Sequence, residues 1–101
     1  MIYQLTVPAA VPGVEEIRIL EWHSEVGDAI AASDLIVELE THKAVVEVRA
    51  GQAGYLRALF AEQGDWREIG LPLALFSDTP DEPTPDSASG STELLVEFDV
   101  T

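Results

Sequence analysis

The chain has 101 residues, 47% hydrophobic residues and a formal net charge of −14, which fit one small, acidic, globular domain. The negative charge excludes a nucleic-acid binder of the usual basic kind and disfavours anionic membrane surfaces. The absence of cysteine excludes a disulfide framework, a thiolate zinc site and a thiol nucleophile, and two histidines are too few for a convincing imidazole metal site. No apolar run approaches the roughly 18 residues of a membrane helix. The late first basic residue, Arg18, argues against a signal peptide.

Six stretches rich in apolar, β-branched or aromatic residues are predicted to be strands, because Gly or Pro punctuates most of the gaps between them. No window shows a sustained helical period, although a short helical turn near residues 29–32 is compatible with the sequence. The predicted strands are 2–7, 17–22, 35–40, 44–49, 55–60 and 71–76. We therefore expect the body of the chain, residues 1–76, to be all-β.

The body contains an internal sequence repeat, called the 37-residue echo below. A shift of 37 residues places the Gly-Asp pair at 27–28 on the Gly-Asp pair at 64–65, and it places Ser33 on Gly70. Two similar halves of about 35 residues predict a pseudo-twofold β structure in which each half supplies part of one core. Two unrelated but similar β-turns would give the same pattern.

Residues 77–93 are predicted to be a flexible acidic linker. They contain no bulky apolar side chain but hold three prolines, so they cannot bury enough surface to offset the entropy of ordering. We expect no fixed contact between residues 78–92 and the body. In residues 96–101 apolar and polar residues alternate, so residues 94–101 are expected to be an extra strand or the start of a following module. Five basic and twelve acidic residues give the body a charge of −7, and 77–101 carries the other −7.

The stretch 35–50 lacks Gly and Pro but is too long for one ordinary strand. Its apolar face is odd-numbered at first (35, 37, 39) and even-numbered later (44, 46, 48), and only a hairpin with an even number of loop residues reverses parity. The loop is then His42-Lys43, or the four residues from Thr41 to Ala44. We expect positions 35, 37, 39, 46 and 48 to face the core. The predicted cross-strand pairs are Leu39–Val46, Val37–Val48, Glu38–Glu47 and Thr41–Ala44.

Either loop places Lys43, the only lysine in the chain, at the tip of the hairpin. A lysine in a turn is most often a solvated surface residue. A single projecting lysine is nevertheless what selective amide formation requires, because only the N-terminal amine competes with it.

The sequence around this lysine is Glu40-Thr41-His42-Lys43-Ala44, with Gly27-Asp28 upstream and with Gly54 and Gly64-Asp65 downstream. These residues resemble a lipoyl domain of the biotinyl/lipoyl carrier family, as found in the acyltransferase (E2) component of 2-oxo acid dehydrogenase complexes. The motif of that family is Glu-Thr-Asp-Lys-Ala, and its lysine carries the lipoyl amide. Four of the five motif residues match here, and the resemblance covers about residues 2–76. Lys43 lies 16 residues after Gly27 and 11 residues before Gly54, which also fits. The residues that carry the resemblance are Glu40, Thr41, His42, Lys43, Ala44, the Gly-Asp pairs at 27–28 and 64–65, and Gly54.

Three positions depart from the family pattern. His42 replaces the family's Asp, Ser33 replaces a common Gly, and Arg67 stands where an apolar residue is usual. His42 either alters recognition by the lipoate-attaching enzyme or a partner dehydrogenase, or it is a neutral change in the turn.

The resemblance implies a flattened β-barrel or sandwich of two small antiparallel sheets with pseudo-twofold symmetry, a barrel-sandwich hybrid. The Lys43 hairpin would lie at one end and the chain termini at the other. Lipoate would be attached covalently to Lys43, with Glu40, Thr41, His42 and Ala44 as turn residues. Gly27 and Gly54 would support that turn. No catalytic residue and no metal ligand is implied.

The implied function is that of a swinging-arm domain, which carries acyl groups and reducing equivalents between active sites and is not an enzyme by itself. The implied partners are a lipoate-attaching enzyme, a thiamin-dependent 2-oxo acid dehydrogenase (E1), the E2 catalytic domain and dihydrolipoamide dehydrogenase (E3). No nucleic acid or membrane is among them, and the isolated domain would be a monomer. The expected compartment is a bacterial cytoplasm, with the mitochondrial matrix as the alternative.

Two other classes stay open. A biotin carboxyl carrier shares the fold, but that family normally has Met on both sides of its lysine, whereas His42 and Ala44 flank Lys43 here. An unmodified barrel-sandwich module that acts only in interactions is the other alternative, since fold does not establish function. Trp22 is expected to pack in or at the rim of the core, and His23 is expected to be a polar strand residue.

Overall fold

The computed structural model describes residues 1–85 and 91–101, which form ten β-strands in two five-stranded sheets. None of these residues belongs to a helix long and apolar enough to cross a membrane. The strands are β1 (Ile2–Thr6), β2 (Glu16–Trp22), β3 (Ala29–Ile30), β4 (Leu35–Glu40), β5 (Val45–Ala50), β6 (Gly54–Leu59), β7 (Trp66–Glu68), β8 (Pro72–Ser77), β9 (Thr92–Glu93) and β10 (Val96–Val100).

The first sheet has the order β3-β6-β8-β1-β9 and the second has the order β10-β5-β4-β2-β7. All neighbouring strands are antiparallel except β1 and β9, which are parallel. The all-β fold of two packed sheets is therefore confirmed. The helical turn that the sequence permitted at 29–32 is wrong, because Ala29 and Ile30 form β3 and pair with Tyr55 and Gly54.

The inner faces of the sheets form one apolar core, and four of the five predicted core positions are completely hidden from solvent. The fifth, Leu35, is only half-buried, and its neighbour Ile36 is fully buried instead. The register of β4 and β5 explains the exchange of Leu35 for Ile36 in the core. Leu35 pairs with Arg49 and Val37 pairs with Val48, so Ile36 has no partner and is an extra residue in β4. Such a β-bulge interrupts the alternation on which parity depends. The four confirmed positions are Val37, Leu39, Val46 and Val48.

The 37-residue echo corresponds to a structural repeat. It relates β4 to β8 residue for residue, and it relates β2 to β6 and β3 to β7. The irregularities repeat as well, because the unpaired Ile36 of β4 corresponds to Leu73 of β8, and Leu20 of β2 corresponds to Arg57 of β6. The two halves therefore share their strands and also the places where the strands are distorted.

The turns before β3 and β7 are equivalent too. Gly27 and Gly64 both have a positive φ, and the following aspartate closes each turn by accepting a backbone hydrogen bond through its side chain. In these bonds Glu25 N donates to Asp28 Oδ2 at 2.8 Å and Glu62 N donates to Asp65 Oδ2 at 2.9 Å. The Gly-Asp pairs are thus two copies of one turn rather than a chance match.

The segment after β8 contacts the body at both of its ends. Asp78 N donates to Met1 O at 3.2 Å, Glu82 Oε2 lies 2.6 Å from the Met1 amine, and Gln4 Nε2 donates to Ser91 O at 3.1 Å. Ser77, the first residue of the predicted linker, is buried within β8. The expectation that residues 78–92 make no fixed contact is therefore corrected for the described part, and residues 86–90 lie outside it. The mobility of the linker stays a prediction.

The last residues return to the second sheet. Strand β10 pairs with the edge strand β5 from Val96↔Ala50 to Val100↔Val46, and Thr101 exchanges two hydrogen bonds with Val45 at 2.9 and 3.0 Å. Residues 96–100 thus form a strand at the edge of the second sheet. The expectation that both termini lie opposite the Lys43 hairpin is wrong for Thr101, because β10 brings it beside that hairpin.

Candidate functional site

The candidate site is the hairpin formed by β4 and β5. Leu39 pairs with Val46 and Val37 pairs with Val48, as the parity of the sequence predicted. Glu38 faces Glu47, also as predicted. The hairpin therefore has the predicted register around its turn, and the turn comprises residues 41–44.

The turn is closed by Thr41, which is 7% exposed. Its backbone N–H donates to Ala44 O at 2.8 Å. Its hydroxyl oxygen accepts hydrogen bonds from Lys43 N and from Ala44 N, each at 3.0 Å. The turn lacks the usual Asn-Gly or Asp-Gly sequence, and the threonine hydroxyl supplies the local hydrogen bonds that hold it. Thr41 thus fixes the backbone that carries Lys43.

Lys43 projects from this turn and is exposed. Among the ion pairs of the described residues, none involves its amine. The side chain reaches the loop that follows β1, since a methyl group placed on Gly13 would lie 3.7 Å from Lys43 Nζ. The amine is therefore accessible from solvent and lies close to a second, non-adjacent segment.

Among the residues that the structure describes, the amine has no ion-pair partner, although three glutamates lie nearby in the sequence. Each of these glutamates instead contacts another basic residue on the outer face of the second sheet. The contacts are Arg18 Nη2–Glu40 Oε1 at 2.9 Å, His23 Nε2–Glu38 Oε1 at 2.6 Å and Arg49 Nη2–Glu47 Oε1 at 3.8 Å. These three glutamates thus contact basic residues of the same sheet and its connections, and none of them forms an ion pair with Lys43.

The other predicted turn residues lie in the turn or directly before it. Glu40 ends β4, His42 is exposed beside Lys43, and Ala44 is half-buried before β5. Gly27 and Gly54 do not reach the turn. Gly27 N donates to Leu56 O at 2.8 Å and Gly54 pairs with Ile30, so both support the first sheet instead.

The residues that depart from the family pattern are accommodated locally. Ser33 is the one non-glycine among the described residues with a positive φ, at 77°. Arg67 pairs with the buried Ile17, but its guanidinium turns outward to Asp65 Oδ2 at 3.2 Å and to Phe60 O at 3.3 Å. A long side chain can bury its stem and keep its charge at the surface in this way. These changes leave the hairpin intact.

Trp22 packs against the core as expected, and its indole Nε1 donates to Ala61 O at 3.0 Å. His23 lies just after β2 and not within it, so its assignment as a strand residue is wrong. Its contact with Glu38 was not assignable from the sequence, because His23 follows β2 and Glu38 lies in β4, and only the fold defines how these two strands are aligned.

The sequence did not single out two further residues near the turn, Gly13 and Trp66. Trp66 lies between the predicted strands 55–60 and 71–76. In the structure both line a cavity together with His42. No spacing rule joins residues 13, 42 and 66, so only the packing of three segments brings them together.

Comparison with known proteins identifies the family. A family model described as "Biotin-requiring enzyme", that of the biotin-lipoyl family, matches residues 3–76. The match begins in β1 and ends in β8, so it contains the Lys43 hairpin and both halves of the repeat. It leaves out β9 and β10.

Several curated proteins are similar over the same region. The dihydrolipoyllysine-residue succinyltransferase component of the 2-oxoglutarate dehydrogenase complex of Staphylococcus saprophyticus is 39% identical over 75 residues, which are 74% of this chain and 18% of that protein. The mitochondrial pyruvate dehydrogenase complex protein X component of Saccharomyces cerevisiae is 32% identical over 76% of this chain and 19% of its own length. The lipoamide acyltransferase component of the branched-chain alpha-keto acid dehydrogenase complex of Pseudomonas aeruginosa is 32% identical over 68% of this chain and 16% of its length.

The chain thus spans about a fifth of the length of these relatives. Its fold, its hairpin and the extent of the family match lead to one conclusion: the chain belongs to the biotin-lipoyl family of carrier domains.

Proposed function

We propose that this domain is a lipoyl-bearing swinging arm, which carries acyl groups and reducing equivalents between the active sites of a 2-oxo acid dehydrogenase complex. The observation that carries the proposal is the exposed amine of Lys43, which forms no ion pair within residues 1–85 and 91–101 and lies on a turn held by Thr41. The similar proteins from three such complexes support it.

The residues around Lys43 fit a covalently attached lipoate. The amine is exposed, its backbone is held in a tight turn, and no neighbouring carboxylate competes for it among the described contacts. Lys43 Nζ would form the amide, and Thr41 would keep the tip projecting. The bound group supplies a cyclic disulfide that accepts an acyl group and two electrons. The chain's own part is to present that group, so we propose that the isolated domain has no enzymatic activity.

The proposed partners follow from this role. They are a lipoate-attaching enzyme, a thiamin-dependent dehydrogenase (E1), an acyltransferase catalytic domain (E2) and dihydrolipoamide dehydrogenase (E3). We propose a bacterial cytoplasm as the compartment, with the mitochondrial matrix as the alternative. The domain would work as a monomer, and the acidic segment after β8 would raise its effective concentration at successive active sites.

A biotin carboxyl carrier and an unmodified interaction module are the competing functions. The family description covers biotin as well as lipoate, so the fold does not separate them. The residues beside Lys43 favour lipoate, since His42 and Ala44 replace the methionines of the biotin motif.

The test is intact mass spectrometry of the chain coexpressed with a lipoate ligase and, separately, with a biotin ligase, followed by peptide mapping. We expect a lipoyl adduct on Lys43 that is completely lost in Lys43→Arg, because arginine keeps the charge but has no amine able to form this amide. Circular dichroism of Lys43→Arg should match that of the parent, since a tip side chain buries little surface.

His42→Asp, which restores the family motif, is the matched control for the turn. A biotin adduct alone would establish the carboxyl-carrier function, and no adduct with either ligase would favour the unmodified module. Lipoylation that appears only in His42→Asp would show that His42 has removed recognition by the ligase and would contradict the proposal for the natural turn.

A further inference from the structure

A concave surface lies beside the tip of the hairpin. It encloses about 290 Å³ and is lined by Gly13, Val14, Glu15, Glu16, His42 and Trp66. Three separate segments form it: the loop before β2, the hairpin turn and the start of β7. One of its lining residues, His42, is the direct neighbour of Lys43.

Trp66 is the unusual residue of this surface. Half of its side chain is exposed, at 50%, although a large aromatic ring normally gains by burial. It is held in position by the sheet, because it pairs with Arg18 across β7 and β2, and Arg18 is in turn bound by Glu40 at the base of the hairpin. An exposed aromatic ring on a fixed strand, inside a concavity, is typical of a binding surface.

Charge restricts what the concavity can hold. Glu15 and Glu16 are both exposed at its rim, and the adjoining depression is lined by Glu68 as well. A carboxylate ligand would be repelled, whereas a neutral apolar group would contact Val14 and the ring of Trp66. Sulfur is a favourable partner for such a ring.

The lysine amine lies close to one of the lining residues, since a methyl group on Gly13 would be 3.7 Å from Lys43 Nζ. Any group attached to the amine therefore begins next to Gly13. A tethered group has an effective concentration on the order of mM, so even a weak intrinsic affinity gives substantial occupancy.

We infer that the surface lined by Gly13, Val14, His42 and Trp66 is a resting site for the neutral, disulfide-bearing arm of lipoate attached to Lys43 of the same chain. The inference rests on the proposed function. In this state the arm is held against the domain between its visits to partner enzymes, and it is displaced when a partner binds the hairpin.

The fluorescence of Trp66 tests this directly. In a Trp22→Phe variant Trp66 is the only tryptophan, and a disulfide in contact with an indole quenches its emission. We expect the emission to fall at least about twofold on lipoylation, relative to a protein with an acetyl group on Lys43, because the sulfur–ring contact and apolar burial favour the docked arm. The acetyl form loses the same charge but has no arm to dock.

Backbone amide chemical shifts give a second readout that does not depend on tryptophan. Lipoylation should shift Gly13 and Val14 as well as the turn, and Trp66→Ala should abolish the shifts at Gly13 and Val14 while leaving the mass of the adduct unchanged. Equal emission of the two acylated forms, with shifts confined to 42–44, would overturn the inference.

The two proposals fail separately. If the ligase does not modify Lys43, the proposed function fails, but an activated ester of lipoic acid can acylate Lys43 chemically, with the position confirmed by peptide mapping. The same emission and shift measurements on that protein then decide whether the surface holds the arm.

Discussion

The two ends of the molecule are built from equivalent strand pairs that are joined differently. At one end β4 continues into β5 through the Thr41–Ala44 turn, in which Thr41 N donates to Ala44 O at 2.8 Å. At the other end β8 lies against β1, the first strand of the chain, and Asp78 N donates to Met1 O at 3.2 Å. Asp78 follows Thr41 by the same 37 residues that relate the strands.

Each end carries one of the two kinds of amine in the chain, and their surroundings are opposite. The amine of Lys43 projects from a closed turn without an ionic partner among the described residues. The Met1 amine lies 2.6 Å from Glu82 and 3.4 Å from Asp78. The hydrogen bond to Glu82, followed by that to Asp78, raises the pKa of the Met1 amine above its ordinary value of 8.0. The two strand pairs are equivalent, but the Lys43 amine is exposed to solvent, whereas the Met1 amine forms ion pairs with Glu82 and Asp78.

Of the changes that distinguish the two ends, Thr41→Val should have the largest effect on the free energy of unfolding. This substitution keeps the shape of the side chain but removes its hydroxyl. We expect a loss of about 1–2 kcal/mol in the free energy of unfolding, because the N–H groups of Lys43 and Ala44 lose their acceptor. Asp78→Ala, the equivalent change at the open end, should cost less than about 0.5 kcal/mol, since Asp78 is exposed. Urea denaturation measures both.

Thr41→Ser, which retains the hydroxyl, is the control and should lie close to the parent. Equal losses for Thr41→Val and Asp78→Ala would show that the hydroxyl does not distinguish the two ends. If the amide hydrogen of Lys43 exchanges faster in Thr41→Val but not in Asp78→Ala, the destabilisation lies at the tip of the hairpin.

A smaller effect is expected where β4 and β8 begin. Ser33 and Gly70 are equivalent, with φ of 77° and 90°, but only the serine is strained by its side chain in this region. We expect Ser33→Gly to raise the free energy of unfolding by about 0.5 kcal/mol and Gly70→Ser to lower it by about 1 kcal/mol. Apart from its two chain neighbours, no described residue has a heavy atom within 4 Å of a methyl group added at Gly70, so the effect there is conformational rather than steric.

Thermal or urea unfolding of the two variants, and of the double variant, checks this prediction. A change of the same sign in both would contradict the equivalence of the two turns. The double variant should show nearly additive changes, because the two residues lie at the start of strands in different sheets.

The smallest effect concerns pH. Because the folded pKa of the Met1 amine is raised, its pairing stabilises the fold below the pKa of the unfolded amine, and this contribution fades as the pH rises through the folded value. Glu82→Gln removes the first cause of the shift, so the pKa of the amine should fall toward 8.0. An NMR titration of the Met1 amine measures this.

Asp81→Asn is the matched control, since it removes a neighbouring charge that is not paired with Met1 in the described structure. An equal fall of the pKa in both variants would mean that the general negative charge of the segment, and not the Glu82 contact, raises it.

Much of the fold could be predicted because its main signals are local. Alternation along a strand depends only on the backbone, so the reversal of parity between residues 35–39 and 44–48 located the turn correctly. The bulge at Ile36 could not be predicted, since it depends on how β4 and β5 fit the curvature of the whole sheet. The same reasoning failed for Leu35 because parity assumes an uninterrupted pairing.

In the candidate site, too, the features that are local in sequence could be predicted and those that depend on tertiary packing could not. Lys43 and Thr41 could be singled out from the motif because the turn that contains them is continuous in sequence. The contact of His23 with Glu38, the approach of Gly13 to Lys43 and the place of Trp66 could not, because each depends on the packing of separate segments.

The sequence by itself determined the all-β class, the register of the hairpin, the repeat of 37 residues and the position of the single lysine. These depend on periodicity, turn residues and composition, which act over a few neighbouring residues. Only the tertiary structure decided that β10 returns to pair with β5 and that the glutamates near Lys43 are paired elsewhere. It also decided that the amine lies near Gly13, which lines a concave surface together with Trp66. Those features join residues that are distant in the chain. The contacts between them form only when the two sheets pack around a common core, so they cannot stabilise any local segment beforehand.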